Sequence, residues 1–179
     1  MAKVRVLENV PGFGWKDKIG YALGDFGCNL SYVLVSTYFM VYYVTCIGID
    51  PVHYGMIMLA SKIWDGINDP LVGSIVDKIR PKKDSDKFKP WVFWGSILLS
   101  VVSVFMFLPI FSASYPVKLI VCTLSYVLWD MCYTIVNVPY GSMASVISAN
   151  QGDRADLSRY RSLGSLLGNV PAGVILPFI

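Results

Sequence analysis

The amino-acid sequence predicts an all-α membrane protein with five transmembrane helices, and three observations support that prediction. Of the 179 residues, 55% are hydrophobic and only 15% are charged, whereas a soluble domain has about a quarter of its residues charged. The mean hydropathy is +0.55. The apolar residues form runs long enough to cross a hydrocarbon layer of about 30 Å. These runs lack the alternating pattern of membrane β-strands.

Each apolar run is bounded by a polar or turn-forming segment. The predicted spans lie near residues 19–47, 54–77, 90–112, 118–141 and 159–179. Residues 1–18 are a polar lead, predicted to be a cytoplasmic N-terminal segment. No cleavable signal is predicted, because the following apolar run is too long for a signal-peptide core. The four cysteines lie in apolar runs without a CxxC pair, so neither a zinc site nor a disulfide framework is predicted.

The distribution of basic residues predicts the orientation of the spans. Lysines and arginines are concentrated in alternate connections: Lys3, Arg5, Lys16 and Lys18; Lys78, Arg80, Lys82, Lys83, Lys87 and Lys89; Arg154, Arg159 and Arg161. The connection at 48–53 has none, and the next charge-poor connection has only Lys118. By the positive-inside rule, the N-terminus and the second and fourth connections are cytoplasmic. The sequence thus predicts a multi-pass protein of the cell membrane, with the bilayer and not nucleic acid as its partner.

Several polar residues lie inside the predicted spans. A charged residue near the bilayer centre costs roughly 2.5–3.5 kcal/mol even on lenient insertion scales. We therefore expect these side chains to face one another, a cavity or water. Residues spaced three or four apart share a helical face, which gives one polar stripe on each of three spans. The stripes, predicted to line one cavity, are Asp25 and Asn29; Asp65 and Asp69; and Asp130, Tyr133, Thr134 and Asn137.

The second span contains the sharpest candidate site. Asp65 and Asp69 are one helical turn apart, with Cβ atoms about 5–6 Å from each other. Two ionised carboxylates at that distance repel, and a bound proton or a hard cation would relieve the repulsion. Thr134 of the fourth span is predicted to supply a further oxygen ligand. The alternative is structural, an intrahelical ion pair between Lys62 and Asp65.

The cytoplasmic end of the second span is interpreted separately. Asp77 directly precedes the basic connection, where we expect it to pair with a lysine or arginine or to cap a neighbouring helix. Together with Lys78 and Arg80 it is assigned to a cytoplasmic gate motif, not to ion coordination. Gly66 and Gly73, seven residues apart on one face, predict the close approach of a neighbouring helix.

Six motifs occur in register along the chain. They are GYALGDFG in the first span, KIWDGINDP in the second, D-x3-G-x3-D from Asp69 to Asp77, KFKPW at 87–91, YTIVNVPYGS at 133–142 and RSLGSLLG at 161–168. In these motifs the chain resembles the glycoside–pentoside–hexuronide:cation symporters of the major facilitator superfamily, the family of melibiose permease. The resemblance covers nearly the whole chain after residue 18.

This resemblance implies an architecture and a mode of action. Two six-helix halves surround a midplane cavity and work by alternating access. The five spans match part of the N-terminal half. Because the chain ends inside an apolar run, GVILPFI, we expect a fragment whose partner is the missing C-terminal half. The implied activity is cation-coupled symport of a small sugar or glycoside, with Na⁺ or H⁺ as the coupling cation. No cofactor is implied, and Na⁺ is the only metal ion considered.

The resemblance also implies where the coupling cation binds. The matching positions are Asp65, Asp69 and Thr134. Asp130 is a departure, because small residues are usual at its position. We predict that Asp130 adds a third carboxylate to the cation site or pairs with Lys62.

The substrate site is implied at positions matching Asn29, Asn137 and Arg161, to which the polar stripes add Asp25 and Tyr133. Melibiose permease has aspartates where this chain has Asn29 and Asn137, so its galactoside site is not carried over. Asparagines at both positions look more like glucuronide- and pentoside-type members. With Arg161 kept, the pocket is predicted to tolerate an anionic sugar such as a hexuronide.

Other functions fit the sequence less well. A lysolipid carrier of the same fold would use Arg161 to hold a phosphate, and a non-transporting truncated membrane protein is a further alternative. An intramembrane aspartyl protease needs aspartates on two facing helices and a GxGD motif, whereas Asp65 and Asp69 share one helix and no GxGD occurs. His53, the only histidine, lies in an outer loop where we expect it to be solvated. The protein is therefore predicted not to be an enzyme.

Overall fold

The structure is a computed structural model, and it describes residues 12–79, 87–148 and 150–170. These residues form α1 (Trp15–Met40), α2 (Pro51–Lys78), α3 (Lys89–Phe105), α4 (Tyr115–Ile147) and α5 (Gln151–Val170). A π-helical segment, Val41–Cys46, continues α1. No strand occurs within the described ranges. The predicted all-α fold with five helices is confirmed.

The helices differ from the predicted spans mainly in the last three, since α3 ends at Phe105 and not near residue 112. α4 extends past the predicted 118–141 at both ends, and α5 begins at Gln151, ahead of the predicted 159. Residues 171–179 of the fifth predicted span lie outside the described residues. Within the described part of the chain, α4 is long and apolar enough to cross a membrane by length and composition, and α3 is a shorter apolar helix. The remaining spans stay predictions.

Local chemistry explains where α2 begins and where it is interrupted. Asp50 caps its N-terminus by accepting a hydrogen bond from the Val52 N–H at 2.8 Å, and Pro51 occupies the first turn. Gly48 precedes the cap with a φ of 82°, which side-chain-bearing residues rarely adopt. Pro70 lies inside the helix. Because proline has no N–H, the carbonyl four residues earlier, that of Gly66, loses its helical partner directly beside Asp69.

The closest helix contact joins α1 to α5. A Cβ atom at Gly164 would collide with the backbone carbonyl of Ala22, and one at Gly168 would lie 2.8 Å from the Phe26 carbonyl oxygen. These two glycines, four residues apart, allow the backbones to approach as in small-xxx-small packing. The predicted close approach at Gly66 is wrong, because a Cβ there would meet nothing within 4 Å among the described residues. At Gly73, the other predicted position, a Cβ would lie 3.9 Å from Val138 Cγ1, which is an ordinary van der Waals contact.

The other contacts are made around α4, which packs against α1, α2 and α3. Gly95 of α3 allows one of them, since a Cβ there would lie 2.8 Å from Val136 Cγ2. The buried core runs along α1, α3 and α4, and its largest fully buried side chains include Trp129, Tyr43, Phe39, Ile49 and Met106. At the other end of α4 the rings of Tyr21 and Tyr140 stack with centroids 4.6 Å apart, and each hydroxyl donates to the other residue's carbonyl. This pair ties α1 to α4.

Polar contacts hold the bundle at the end where α1 and α5 begin. Lys18 Nζ donates to Asp156 Oδ2 at 2.6 Å and lies over the rings of Trp15 and Tyr160. The hydrogen bond to Asp156 raises the pKa of Lys18, and the same bond lowers the pKa of Asp156. This pair therefore stays charged at neutral pH.

At the opposite end of the bundle, other hydrogen bonds connect the helices. Tyr42 Oη donates to the Leu108 carbonyl at 2.7 Å, and Lys118 Nζ donates to the Ile47 carbonyl at 2.9 Å. His53 is hydrogen bonded to Tyr115, with 2.7 Å between Nδ1 and Oη. His53 is exposed, as expected for a solvated side chain, but it lies in the first turn of α2 and not in a loop, and it also contacts the Tyr115 phenol.

Candidate functional site

The predicted site residues occur in two clusters, and the first lies between α1 and α5. Arg161 Nε donates to Asp25 Oδ1 at 2.9 Å, and Asn29 Nδ2 donates to Asp25 Oδ2 at 2.8 Å. Ser165 Oγ donates to Asn29 Oδ1 at 3.1 Å. Each carboxylate oxygen of Asp25 thus has a donor. We call Asp25, Asn29, Arg161 and Ser165 the arginine cluster.

Burial makes the two charged members of the arginine cluster unequal. The side chain of Asp25 is 4% exposed, whereas that of Arg161 is 39% exposed. The guanidinium also lies 5.4 Å from the ring centroid of Tyr140. Arg161 therefore compensates a buried charge while the rest of its surface is free to contact a ligand. The cluster has no net charge.

The second cluster lies between α2 and α4. Lys62 Nζ contacts Asp65 Oδ2 at 2.8 Å, and Thr134 Oγ1 donates to Asp69 Oδ1 at 2.9 Å. The predicted contact of Thr134 with the carboxylates of α2 is present. The intrahelical Lys62–Asp65 pair, the structural alternative, is present as well. The two aspartates of α2 thus have different partners.

Asp130 also belongs to this second cluster, and one of its carboxylate oxygens has no hydrogen-bond donor among the described residues. The residue is 7% exposed. The charged groups near its carboxyl are Asp65, Lys62 and Asp69. Asp130 Oδ2 and Asp65 Oδ1 are nevertheless buried without a hydrogen-bond partner among the described residues. Lys62 pairs with Asp65 and not with Asp130, and a role of Asp130 in a cation site stays a prediction. We call Lys62, Asp65, Asp69, Asp130 and Thr134 the carboxylate cluster.

Three aromatic rings join α1 to α4 beside these clusters. Tyr133 lies 5.6 Å from Tyr32 of α1 and 5.4 Å from Trp129, measured between ring centroids. Tyr133, predicted as a substrate residue, directly precedes Thr134 in the sequence. Asn137, predicted with it, is half-buried on the same helix, and no side-chain hydrogen bond of Asn137 occurs within the described ranges. The polar residues that were predicted to line one cavity thus form two separate clusters, with aromatic rings beside them.

The residues assigned to the gate lie at the end of α2. Lys87, just before α3, contacts Asp77 Oδ1 at 3.8 Å and donates to the Asp77 carbonyl at 3.3 Å. Lys78 is exposed. Arg80 lies outside the described residues. The expected pairing of Asp77 with a basic side chain is therefore present, through Lys87.

Two further buried polar groups lie on α2 near the carboxylates. Asn68 is 3% exposed, and its Nδ2, like Nε1 of Trp64, is buried with no hydrogen-bond partner in the described part of the chain. Sequence reasoning missed both residues. Asn68 shows a usable signal, because it is a polar residue in an apolar run, three positions after Asp65 and hence on the same face.

Two open grooves lie elsewhere on the bundle. One, of about 560 Å³, is lined by residues of α3 and α4 such as Phe93, Ser96 and Met143. The other, of about 580 Å³, lies between α1 and α3 and includes Leu34 and Phe107. Both are lined mainly by apolar side chains, and neither includes a residue of the arginine or carboxylate cluster.

A helical bundle with many exposed apolar side chains and with buried aspartates is typical of a membrane transport protein, since charged groups inside a membrane mark ion and substrate pathways. The chain belongs to the MFS/sugar transport protein family, whose model matches residues 20–179. This membership confirms the family resemblance and places the protein among membrane transporters and not among enzymes.

Three relatives illustrate the match. The chain is 37% identical to an uncharacterized symporter, YjmB, of Bacillus subtilis over 92% of this chain and 36% of that protein. It is 36% identical to a putative glycoside/cation symporter, YagG, of Escherichia coli (92% and 35%) and 31% identical to an isoprimeverose transporter of Lactiplantibacillus pentosus (92% and 34%). The chain thus spans about a third of the length of each.

Proposed function

We propose that the protein acts as a cation-coupled symporter of a small sugar or glycoside and works by alternating access. The observation that carries the proposal is the carboxylate cluster, where Lys62 pairs with one of three aspartates and two buried oxygens have no hydrogen-bond partner among the described residues. A bound cation supplies the missing positive charge. The chain contributes the N-terminal spans, with its N-terminus in the cytoplasm, and a C-terminal half completes the carrier.

The cation site uses the residues of α2 and α4. Asp65, Asp69 and Asp130 supply the negative charge, and the Thr134 hydroxyl lies 2.9 Å from Asp69. Carboxylate and hydroxyl oxygens suit a hard cation or a proton. Neutralising this cluster lowers the cost of holding it within the membrane, so cation occupancy stabilises one conformation of the carrier over another.

The substrate site uses the arginine cluster together with Tyr133 and Asn137. Asparagine and serine side chains donate and accept hydrogen bonds, as sugar hydroxyls require, and aromatic rings pack against the apolar faces of a sugar. Arg161 already neutralises Asp25 at 2.9 Å. A hexuronide would compete with Asp25 for Arg161 and leave that buried carboxylate unpaired. This balance favours a neutral glycoside or pentoside over the anionic sugar predicted from the sequence.

The contacts at the two ends of the bundle supply the gates. The Lys18–Asp156 and Asp77–Lys87 contacts lie at the end proposed to be cytoplasmic. Opening toward the cytoplasm requires helices of this end to separate. Both ion pairs are partly exposed to solvent, and water screens the attraction between their charges. They are therefore weak enough to break in each transport cycle.

A transport assay tests the proposal. The protein, as its gene encodes it, is reconstituted in vesicles, and uptake of labelled xylosides, galactosides and glucuronides is measured with an inward proton or sodium gradient. We expect uphill uptake of a neutral sugar in the wild type and loss of coupling in Asp69→Asn. Asp50→Asn is the matched control, because asparagine caps a helix as well as aspartate does. Uptake of a lysolipid that no sugar competes with would contradict the proposal and favour a lipid carrier.

A further inference from the structure

Tyr32 of α1 carries the most exposed ring of a group of three. Its exposed fraction is 42%, whereas Trp129 of α4 is 2% exposed and Tyr133 is half-buried. The centroid of the Tyr32 ring lies 5.6 Å from that of Tyr133 and 6.3 Å from that of Trp129. The two rings of α4 stack 5.4 Å apart, and Trp129 Nε1 donates to Ser31 Oγ at 3.4 Å. The inner rings are therefore fixed, and they support Tyr32 while much of its surface stays open.

The polar atoms beside this ring have no hydrogen-bond partner in the described part of the chain. This holds for the hydroxyls of Tyr32 and Tyr133 and for the side-chain amide of Asn137. None of these atoms is among the unpartnered groups that are buried there, so solvent reaches them. Asn137 lies four residues after Tyr133 and hence on the same face of α4. A ligand on the Tyr32 ring therefore meets donors and acceptors that are free to bind it.

The neighbouring arginine cluster offers fewer free groups. Asn29 Nδ2 donates both to the backbone carbonyl and to Oδ2 of Asp25, and Asn29 Oδ1 accepts from Ser165. Arg161 is bonded to Asp25 as well. Asn29 lies three residues before Tyr32, so the two side chains share a face of α1. A neutral ligand beside this cluster therefore needs further contacts, and Tyr32 is placed to supply them.

The charged neighbours of the ring show that it does not lie in a purely apolar environment. Lys62 of the carboxylate cluster is near Tyr32, and Asp25 and Arg161 of the arginine cluster are near Tyr133. A ring that faces only lipid tails would have apolar neighbours, because charged groups are costly in contact with hydrocarbon. Tyr32 thus lies on the polar side of α1, between the two clusters.

We propose that Tyr32 is a specificity-determining residue of the substrate site, where the C–H face of a neutral pyranose ring packs on its phenol ring while Tyr133 and Asn137 bind sugar hydroxyls. The inference rests on the proposed function and adds the residue that recognises the ring of the sugar. The face of an aromatic ring is negative, and the C–H bonds of a sugar are weakly positive. A carboxylate above the same face would be repelled. Tyr32 therefore favours neutral sugar rings over acidic ones.

Sugar binding to the purified full protein tests the role of Tyr32. The affinity for a neutral glycoside that the wild type transports is measured by calorimetry, together with the melting temperature of each variant. We expect Tyr32→Phe, which keeps the ring, to bind nearly as tightly as the wild type. Tyr32→Leu should bind about tenfold more weakly with little change in melting temperature, since it keeps an apolar side chain but loses the ring.

Trp94→Leu is the matched control, because it removes an exposed ring of α3. It should bind the glycoside as the wild type does. Wild-type affinity in Tyr32→Leu, or an equal loss of affinity in Trp94→Leu, would overturn the proposal.

Chemical modification of the wild type gives a second readout that needs no variant. N-Acetylimidazole acetylates tyrosine hydroxyls that solvent reaches, and mass spectrometry locates the modified residues. Tyr32 and Tyr115 have similar exposed fractions, 42% and 39%. We expect the bound glycoside to slow acetylation of Tyr32 severalfold and to leave that of Tyr115 unchanged.

Two outcomes separate this inference from the proposed function. Acetylation of Tyr32 that a bound glycoside does not slow would overturn the role of Tyr32, even where Tyr32→Leu fails to fold, and would leave symport intact. A wild type that binds and transports no sugar would contradict the proposed function, and the role of Tyr32 with it.

Discussion

The arginine cluster and the carboxylate cluster contain similar polar side chains but differ in how they are satisfied. In the arginine cluster, both oxygens of Asp25 have donors, and charge is balanced by one guanidinium. In the carboxylate cluster, one ammonium faces three carboxyl groups, and two buried oxygens have no partner among the described residues. The first cluster is complete as it stands. The second leaves buried oxygens without a donor among the described residues, which is why we propose it as the cation site.

The helix packing beside the two clusters also differs, being close beside the arginine cluster and more open beside the carboxylate cluster. α1 and α5 touch backbone to backbone at Gly164, whereas a Cβ atom at Gly66 of α2 would meet nothing within 4 Å in the described structure. Dense packing fixes the geometry of the arginine cluster. Looser packing beside the carboxylate cluster leaves α2 freer to adjust when an ion binds or leaves.

The largest expected effect comes from filling the space between α1 and α5. Gly164→Leu should prevent the two helices from meeting and abolish folding or insertion, because the obstacle is a backbone carbonyl that cannot rotate away. Inserting extra methylene groups into a well-packed interior costs about 1–3 kcal/mol, and a leucine side chain is larger than that. The measurement is the yield of monodisperse protein after detergent extraction.

Gly66→Ala is the matched control for that substitution. The added methyl group meets open space, and alanine favours a helix over glycine by roughly 0.5–1 kcal/mol. We expect unchanged or slightly higher thermal stability. An equal loss of stability in the two variants would contradict the difference in packing between the two clusters.

Asp25→Asn is expected to have the next largest effect. It leaves the Arg161 guanidinium without its counter-charge. Removing one partner of a buried ion pair costs about 3–5 kcal/mol, and the 39% exposure of Arg161 should reduce that figure. The melting temperature should fall markedly, and the double variant with Arg161→Gln should recover part of the loss. A double variant no more stable than Asp25→Asn would show that the pair is not the cause.

Thr134→Val tests the carboxylate cluster with a smaller effect. The substitution removes a single hydrogen bond, at 2.9 Å, to a carboxylate of an exposed residue. Such a bond contributes about 1.5–3 kcal/mol when its partner is charged, and less where water can replace the hydroxyl. We expect a stability change below that of Asp25→Asn together with weaker cation-dependent protection against heating. Retention of full cation dependence would remove Thr134 from the site.

The smallest effect concerns pH at the Lys18–Asp156 contact. Its hydrogen bond lowers the pKa of Asp156. The stabilisation that the Asp156 carboxylate contributes is therefore present above its ordinary pKa of 3.8 and is lost as the pH falls through the lowered pKa. The same bond raises the pKa of Lys18, whose contribution is present below 10.5 and is lost as pH rises through the raised one. Asp156→Asn should therefore change the melting temperature equally at about pH 6 and about pH 9. A pH-dependent difference would place another titrating group in this contact.

Much of the fold and part of the site were predictable from the sequence. Apolar runs and their charged connections predict five helices because burial and helix length follow directly from composition. The spacing of Asp65 and Asp69, and the family resemblance, led to Thr134 as their neighbour. These are properties of one helix, or of a motif shared with relatives.

What depends on the packing of two helices could not be predicted. The Asp25–Arg161 pair joins residues 136 positions apart, and only the close contact at Gly164 brings them together. Both alternatives for Asp130 place it against α2, and they differ in which side chain of α2 it meets. The burial of Asn68 likewise depends on neighbours that its own helix does not specify.

Pro70 gives α2 a further property. It removes one hydrogen bond from the helix within the turn that ends at Asp69, and helices bend most easily where such a bond is missing. Any flexing of α2 is therefore concentrated at the turn that carries Asp69 and not distributed along its 28 residues. The helical segments before and after this turn can tilt relative to each other, with the Asp69 carboxylate at the bend.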